Sequence, residues 1–379
     1  MHCRFENRIT DQAIVLEDFL YRLDAVTPDA LHHVTQGIEH ALDQGHWVAL
    51  VADYELGEWL EPGVLATPRP EQATVLPPRP RLTALVFAKQ RTEAPWGPAQ
   101  PICDTPLQWA PLIDRATYRT HVEHLRQGIG RGDYYQVNYT FPIEVQTPLP
   151  ADQLYRHIAH HHRSAHAAFI ELGNDASPER AVLSFSPELF VERTGSQLTV
   201  RPMKGTAPRH TDPQHDQQSA RELQNSLKNQ AENLMIVDLL RNDLGRIATP
   251  GSVHVPALFS LEQYPSVWTL TSTITAHAPD TPLQTLLHAL FPCGSITGAP
   301  KIAAMHAIRS LEISERGIYC GSVGWIAPSG DFSLNVAIRT IEMTSAGRGR
   351  FGVGGGIVFD SDPDQEWEEC LWKARVLGA

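Results

Sequence analysis

Residues 181–206 read AVLSFSPELFVERTGSQLTVRPMKGT, and they hold three strand-like segments at 181–185, 189–192 and 198–203. Elsewhere the pattern predicts strands at 47–54, 82–87, 135–145 and 167–172 and helices at 28–44, 115–131, 151–163, 216–245, 299–312 and 363–376. Strands follow strands here instead of alternating with helices, so the order is not that of βαβ units. The sequence therefore predicts an α+β fold with much antiparallel β-sheet in a large domain.

Two charged residues of this stretch are candidates for chemistry. Lys204 lies between an apolar strand and a glycine turn, and Glu188 precedes it by sixteen residues. A lone lysine in a loop is usually a solvated cation, because its ordinary pKa of about 10.4 keeps it protonated. Lys204 is thus either a surface charge or, in a suitable environment, a nucleophile.

Composition bounds the class of protein. The chain has 379 residues, of which 42% are hydrophobic, enough for a sizeable core, and its formal charge of −12 argues against nucleic-acid binding. No apolar run reaches the roughly 18 residues of a membrane span, and the N-terminus lacks the apolar core of a signal peptide. The five cysteines form no Cys-x-x-Cys pair. We therefore expect a soluble, cytoplasmic protein without a disulfide framework or a zinc site.

The predicted C-terminal helix carries two carboxylates and an ammonium on one face. Asp362 is a suitable N-cap, and Glu366, Glu369 and Lys373 follow at helical spacing. This face is either a solvated set of salt bridges or a site for Mg²⁺, which prefers one or two carboxylates plus water and substrate oxygens. Glu232, on the predicted helix 216–245, is similarly either a surface charge or a partly buried carboxylate that needs a cation.

Two glycine-rich segments and one arginine could bind anions. Residues 294–301 open a predicted helix, with Thr297 as its possible cap, and residues 352–357 read GVGGGI. Each is either a place where backbone N–H groups approach an anion or a simple turn. Arg339 lies in an apolar strand, so we expect it to face either a ligand carboxylate or a protein carboxylate. The histidines between 157 and 166 indicate a solvated helix face rather than a metal site.

Together these segments resemble the chorismate-utilising enzymes, a family whose members make anthranilate, aminodeoxychorismate, isochorismate or salicylate. The resemblance is strong over about residues 110–379, the predicted catalytic region, and loose over residues 1–109, which we expect to be an N-terminal part of the same fold. The segments that carry it are 132–138 (GDYYQVN), 186–188 (SPE), 202–206 (PMKGT), 232–244 (ENLMIVDLLRNDL), 294–301 (GSITGAPK), 354–358 (GGGIV) and 366–373 (EWEECLWK).

The resemblance implies a large single domain of two stacked, mainly antiparallel β-sheets flanked by helices. It implies Mg²⁺ held by Glu232 and Glu369, with Glu366 adjacent, against the ring carboxylate of chorismate. The other residues that it implies bind substrate: Tyr319, Arg339 and the amides of Gly354, Gly355 and Gly356 at the enolpyruvyl carboxylate, Lys373 and Thr297 closing the pocket, and Gly205, Thr206 and Thr269 as further contacts.

Two positions indicate which product is made. Family members that use water carry a lysine where this chain has Gln136, and an amide cannot act as that base. Enzymes that make anthranilate typically carry alanine at the position of Lys204, whereas those that make aminodeoxychorismate carry lysine. The resemblance thus implies that Lys204 attacks C2 while the C4 hydroxyl leaves, with Glu188 as general acid, and that ammonia then adds at C4.

The chain also departs from the family. Thr269 occupies the place of a frequent histidine, and the Leu-Leu-Glu-Ser motif of tryptophan-inhibited members is missing, so we do not expect inhibition by tryptophan. We expect ammonia from a separate glutamine amidotransferase subunit, in a heterodimer. An enzyme that makes anthranilate and a non-catalytic chorismate-binding homologue remain the alternatives.

Overall fold

The computed structural model describes residues 1–76, 78–99, 107–173, 180–264, 267–345 and 347–378. Its strands are β1 (Cys3–Asn7), β2 (Gln12–Ala25), β3 (Trp47–Ala52), β4 (Leu82–Glu93), β5 (Gln108–Pro111), β6 (Gln136–Gln146), β7 (His166–Glu171), β8 (Ala181–Ser186), β9 (Leu189–Thr194), β10 (Gln197–Arg201), β11 (Met203–Pro208), β12 (His254–Gln263), β13 (Val267–His277), β14 (Gly298–Ala299), β15 (Ser322–Ile326), β16 (Phe332–Asn335), β17 (Thr340–Ser345) and β18 (Arg348–Ile357). Its α-helices are α1 (Ala30–Asp43), α2 (Leu56–Leu60), α3 (Arg115–Arg131), α4 (Ala151–His161), α5 (Pro213–Asn225), α6 (Leu227–Gly245), α7 (Leu283–Leu290), α8 (Lys301–Leu311) and α9 (Pro363–Lys373).

The named strands pair antiparallel throughout and form two halves. One half runs β13, β10, β9, β16, β15, β3, β4, β2, with β11 and β12 both paired to β13. The other half runs β1, β7, β8, β17, β18, β6, with β5 and β14 both paired to β6. Hydrogen bonds between β1 and β2 join the two halves at one edge. The first two strands of the chain therefore connect the two halves.

Alternating side chains show that the two halves are stacked. In β3, Ala49 and Val51 share a buried cluster with Ala168 and Ile170 of β7, which belongs to the other half. The residues that alternate with these four in β3 and β7 point the opposite way, into the larger core that also contains the apolar faces of the helices. Successive strand residues face opposite sides of a sheet, so the first cluster is the layer between the sheets. The predicted fold, two stacked antiparallel sheets flanked by helices, is confirmed.

Several predicted elements agree with the structure. The helix predicted at 115–131 is α3, with Asp114 as its N-cap and Gly132 closing it at φ 82°. The predicted boundary between regions 1–109 and 110–379 stays a prediction. Cys103 lies outside the described residues, whereas Cys3, Cys293, Cys320 and Cys370 are buried and free. In the described part of the chain, no helix is long and apolar enough to cross a membrane.

The predicted helix 216–245 is wrong in one respect, because two helices occupy it. The chain breaks at Ser226, whose φ of −70° and ψ of 106° are not helical, and whose hydroxyl accepts a hydrogen bond from the Asn229 N–H. Serine is a good N-cap, and this local bond competes with continuing the helix. Leu227, the first residue after the break, is 80% exposed, whereas Leu223, Val237 and Leu244 are buried.

The segment 294–301 also differs from the prediction. Helix α8 begins after Pro300, and Thr297 does not cap it, since the Thr297 hydroxyl donates to the Cys293 carbonyl at 2.8 Å. The glycines of 352–357 lie within β18 and not in a loop before it. The last helix ends at Lys373 and continues as a short 3₁₀ turn.

Candidate active site

A cavity of about 440 Å³ lies between β11, β18, α6, α9 and the turn at Gly294–Ile296. Thirteen of the fifteen predicted site residues line this cavity. They are Glu188, Lys204, Gly205, Thr206, Glu232, Thr269, Tyr319, Arg339, Gly354, Gly356, Glu366, Glu369 and Lys373. The other two, Gly355 and Thr297, do not line it. The roles proposed for these residues stay predictions, but the fold brings nearly all of them together.

Glu188 is a buried carboxyl at the bend between β8 and β9. It is 3% exposed, and the Ser295 hydroxyl donates to its Oε1 at 2.7 Å. Burial raises the pKa of Glu188 to about 7, while the Ser295 hydrogen bond, the Lys204 ammonium and the Met203 N–H act in the opposite direction. Near neutral pH this carboxyl therefore holds a proton in part of the molecules, as a general acid must.

Lys204 extends from β11 into the same cavity. Among the described residues its ammonium has no ion-pair or hydrogen-bond partner, and burial lowers its pKa, opposed by the charges of Glu232 and Glu188. Gly205, which follows it, has a φ of +84°, and a Cβ there would lie 3.0 Å from Asn229 Cγ. The turn that presents Lys204 thus requires glycine for two reasons, backbone conformation and space.

Thr269 supports this turn. It is fully buried, and its hydroxyl donates to the Gly205 carbonyl at 3.2 Å. It also lines the cavity. The threonine that stands in place of the expected histidine therefore holds the backbone next to Lys204, a contact that the sequence analysis did not predict.

Gln136 lies beside Lys204, behind Gly356. It is fully buried, and neither its amide nitrogen nor its amide oxygen has a hydrogen-bond partner among the residues that the structure describes. A Cβ on Gly356 would lie 2.5 Å from Gln136 Nε2 and 3.4 Å from Lys204 Nζ, so the three residues are in close proximity. Buried polar groups without partners are rare in proteins. Gly356 lines the cavity, and the Gln136 amide lies directly behind it, next to the amine.

Arg339 provides an unpaired cation at another wall. Its φ is 49°, a strained value for a residue with a side chain, and its guanidinium forms no ion pair or hydrogen bond with the residues that the structure describes. Burial lowers its pKa. Of the two expected partners, a protein carboxylate is absent among the described residues, and binding of a ligand carboxylate stays a prediction. Tyr319 lies nearby on the cavity wall, with its ring against Gly352.

Helix α9 supplies the acidic wall. The Asp362 carboxylate accepts hydrogen bonds from the N–H groups of Asp364 and Gln365, which confirms it as the N-cap. Lys373 Nζ contacts Glu369 Oε1 at 2.8 Å and donates to the Gly354 carbonyl at 2.8 Å. The pKa of Glu369 is lowered by Lys373, whereas burial raises the pKa of Glu366, whose Oε1 accepts from Ser361.

These side chains fit a magnesium ion in the donor atoms that they offer. Glu232 on α6 and Glu366 and Glu369 on α9 face one cavity, and Mg²⁺ needs only one or two carboxylates when water and substrate oxygens complete its shell. In the part of the chain that the structure describes, no three His, Cys, Asp or Glu side chains form a ready-made metal cage. Binding of Mg²⁺ by these carboxylates stays a prediction.

Several cavity residues were not predicted as site residues. They are Asn138, Pro187, Met203, Lys228, Asn229, Ser295, Ile296, Ile338, Phe351, Gly352, Val353 and Trp372. Ser295 lies in a segment that had been noted for its glycines, but its contact with Glu188 joins positions 107 apart in the chain. Lys228 could have been found from its spacing, one helical turn before Glu232.

Comparison with solved structures defines the fold class. The chain superposes on anthranilate synthase component I from Streptococcus pneumoniae TIGR4 with a TM-score of 0.82 at 22% identity, covering 99% of this chain and 92% of that one. It superposes on MenF, the menaquinone-specific isochorismate synthase from Escherichia coli, with a TM-score of 0.76 at 18% identity, covering 100% and 88%. At such identities the likeness shows the fold alone.

Sequence comparison defines the family. The model of the chorismate binding enzyme family matches residues 31–378, so the chain belongs to that family. It is 42% identical over 271 residues to aminodeoxychorismate synthase component 1 from Salmonella typhimurium, covering 71% of this chain and 58% of that protein. It is 37% identical over 272 residues to anthranilate synthase component 1 from Streptomyces coelicolor, covering 71% and 52%. The chain thus matches less than two thirds of the length of these curated relatives.

Proposed function

We propose that the chain is an aminodeoxychorismate synthase component 1, which converts chorismate and ammonia to 4-amino-4-deoxychorismate and water. The observation that carries the proposal is Lys204, a half-buried lysine whose amine has no protein partner among the described residues and faces the protonatable carboxyl of Glu188. The relatives of that name, at 41–42% identity, support it.

The charges in the cavity suit a dianionic substrate with a divalent cation. Four basic side chains (Lys204, Lys228, Arg339 and Lys373) and four carboxyl groups (Glu188, Glu232, Glu366 and Glu369) line it, and they balance. Chorismate carries two carboxylates, and Mg²⁺ would offset both. Charge that is removed from water is costly unless an opposite charge compensates it. Because the side chains of the cavity already balance, we expect the two negative charges of the substrate to be compensated by the ion that binds with it.

The residues that would hold Mg²⁺ are Glu232, Glu369 and Glu366, and the ion would supply positive charge to the ring carboxylate of chorismate. Arg339 and Tyr319 would bind the enolpyruvyl carboxylate, because an arginine fork matches a carboxylate in geometry and charge. The substrate would then lie with its ring above Lys204 and its C4 hydroxyl near Glu188.

In the proposed reaction, neutral Lys204 forms a bond from Nζ to C2 of the ring. The ring double bond shifts, the C4–O bond breaks, and Glu188 gives its proton to the hydroxyl, which leaves as water. The Glu188 carboxylate then takes the extra proton from Nζ of Lys204. Ammonia forms a bond to C4, the double bond shifts back, and the C2–N bond to Lys204 breaks as Glu188 returns a proton to Nζ. The new amine at C4 gives its extra proton to Glu188, which leaves Lys204 neutral and Glu188 protonated as at the start.

Gln136 excludes one competing reaction. Addition of water at C2 would require a base to remove a proton from water, and a carboxamide cannot do this. Its unpaired amide is instead free to hydrogen-bond the amine of Lys204 or the substrate. We further propose that ammonia comes from a separate glutamine amidotransferase subunit, which the words "component 1" in the names of the relatives support.

The decisive experiment is product analysis. Purified protein is incubated with chorismate, Mg²⁺ and ammonium at pH 8, and products are separated by liquid chromatography and mass spectrometry. We expect 4-amino-4-deoxychorismate without release of pyruvate. Anthranilate with pyruvate would replace the proposal with anthranilate synthesis, and ligand-dependent stabilisation without turnover would indicate a binding protein.

A further inference from the structure

Glu188 depends on a turn from a distant part of the chain. Its side-chain hydrogen bond among the described residues comes from Ser295, at the centre of the 3₁₀ turn Gly294–Ile296. On the N-terminal side, Cys293 contacts the Ser295 hydroxyl at 3.3 Å and its carbonyl accepts from Thr297. The position of this turn therefore decides whether Ser295 reaches the carboxyl.

Arg316 holds the turn from the side away from the cavity. Its side chain is 2% exposed and does not line the cavity. One guanidinium nitrogen donates to the Ile296 carbonyl at 2.9 Å, and another donates to the Asn138 carbonyl at 2.6 Å. Ile296 and Asn138 both line the cavity. One planar group thus links two walls of the cavity through their backbones.

Arg316 is itself held by the N-terminal region. Its guanidinium lies 4.2 Å from the ring centroid of Tyr54, and the Glu55 carboxylate accepts from the N–H groups of Arg316 and Gly317 at 2.7 and 3.0 Å. Glu312 pairs with the guanidinium at 2.7 and 2.9 Å. All three guanidinium nitrogens of Arg316 have hydrogen-bond acceptors among the described residues, which makes the arginine a rigid support.

We propose that Arg316 is a positioning residue for the general acid: by fixing the Ile296 carbonyl, it places the Ser295 hydroxyl on Glu188. Arginine suits this task because its fork donates to several fixed acceptors at once, which a lysine cannot reproduce. The inference rests on the proposed function only in taking Glu188 as the acid. It gives the N-terminal segment around Tyr54 and Glu55 a part in catalysis, although that segment does not reach the cavity.

The titratable groups that face Glu188 bear on the test. They are Lys204 from β11, whose charge lowers the pKa of Glu188, and the thiols of Cys293 and Cys320. Burial raises the pKa of each thiol to about 12, so both stay neutral through the range in which Glu188 titrates. A change in the titration of Glu188 would therefore come from Ser295, from Lys204 or from the Met203 N–H, and the Ser295→Ala variant identifies the share of Ser295.

The test measures Glu188 directly by infrared difference titration of the unliganded protein. The band of the protonated carboxyl is assigned by its loss in Glu188→Gln, and its midpoint is followed in Arg316→Lys. A lost Ser295 hydrogen bond destabilises the carboxylate, so we expect the midpoint to move to higher pH, as it should in Ser295→Ala. The kcat for chorismate should fall at least about tenfold in Arg316→Lys, since a displaced acid transfers its proton poorly, with little change in KM.

Two further variants complete the design. Arg309→Lys is the control, because the Arg309 side chain is 15% exposed and donates to Glu58 and the Thr67 carbonyl, neither of which lines the cavity. Tyr54→Leu tests the same support if Arg316→Lys does not fold. The inference would be overturned if Arg316→Lys and Tyr54→Leu both had the same titration midpoint and the same kcat as the control Arg309→Lys. The infrared midpoint needs no turnover, so it separates this inference from failure of the proposed function.

Discussion

At the scale of single residues, the properties of Lys204 come from its surroundings. In sequence it is a lysine before a glycine, and most such lysines are solvated. In the structure burial lowers its pKa, and the carboxyl of Glu188 and the amide of Gln136 lie beside it. An amine that is buried without a partner tends toward the neutral form, which is the nucleophilic one.

Replacing Lys204 tests the covalent step. Lys204→Ala should lower the rate of 4-amino-4-deoxychorismate formation by at least about 10³-fold, because no other group can take the place of the attacking amine. Lys204→Arg is the control for charge, since it keeps a cation but stays protonated. Rates are measured by chromatography, and melting temperatures should remain close to wild type. Normal turnover in either variant would exclude attack by this lysine.

Glu188 should make stability depend on pH. Its pKa rises from 4.5 in the unfolded chain to about 7 in the folded protein, so between these values the folded state binds more protons. The free energy of unfolding should therefore fall as pH rises through this window. Glu188→Gln removes the effect: we expect it to be more stable than wild type by up to about 3 kcal/mol at pH 8, with the difference disappearing below about pH 4.5.

Urea unfolding at a series of pH values measures this difference. The exposed Glu123, which pairs with Arg126 on the surface of α3, supplies the control Glu123→Gln. That variant should follow the wild-type curve throughout. An unchanged pH dependence in Glu188→Gln would mean that the Glu188 carboxyl is not destabilised by burial.

At the scale of secondary-structure elements, local pattern predicts well where one interaction dominates. Helix α3 was predicted with its observed bounds because an aspartate begins it and a glycine ends it. The break between α5 and α6 was missed, although Ser226 is a good cap, because helical apolar spacing continues across it. The spacing of apolar residues does not distinguish one long helix from two successive helices with differently oriented apolar faces. Only the packing of the helices against β11 and β13 distinguishes the two cases.

The cap of α9 is predicted to support the acidic wall. Asp362→Ala removes the acceptor for two N–H groups, so it should lower the free energy of unfolding by about 1 kcal/mol and weaken Mg²⁺ binding, because Glu366 and Glu369 follow within two turns. Asp362→Asn keeps the acceptor and should behave nearly as wild type. Urea unfolding and titration calorimetry with MgCl₂ measure both effects. Equal loss in the two variants would show that charge, not capping, is what matters.

At the scale of the whole molecule, the site exists because the stacked sheets bring distant segments to one end. The β1–β2 pair joins the halves, and β18 carries its glycines next to β6, which carries Gln136. Ligands that bind only this assembled state stabilise it by mass action. The linkage provides a test of the metal prediction that is independent of catalysis.

Mg²⁺ and chorismate together should raise the melting temperature by several degrees, since binding at about 100 times Kd adds about 2.7 kcal/mol. Glu232→Gln and Glu369→Gln should lose the part of the shift that depends on Mg²⁺. Glu368→Gln is the control, because Glu368 lies on α9 but is 62% exposed and pairs with Arg115 at the surface. Thermal scans with and without EDTA measure the shifts. A full Mg²⁺-dependent shift in Glu232→Gln would place the ion elsewhere.

Local pattern alone was enough for the strand-rich fold class, most helices, the candidate residues of the site and the family that they resemble, because periodicity, capping and motif spacing are short-range properties. It left open whether Lys204, Arg339 and the α9 carboxylates were surface charges or parts of a site. Only the folded chain decided that they share a cavity, that Ser295 reaches Glu188, and that Thr269 supports the Lys204 turn. The reason is physical: burial, desolvation and hydrogen bonds between residues a hundred positions apart arise only when the two sheets stack, and these interactions change an ordinary lysine and glutamate into a candidate nucleophile and acid.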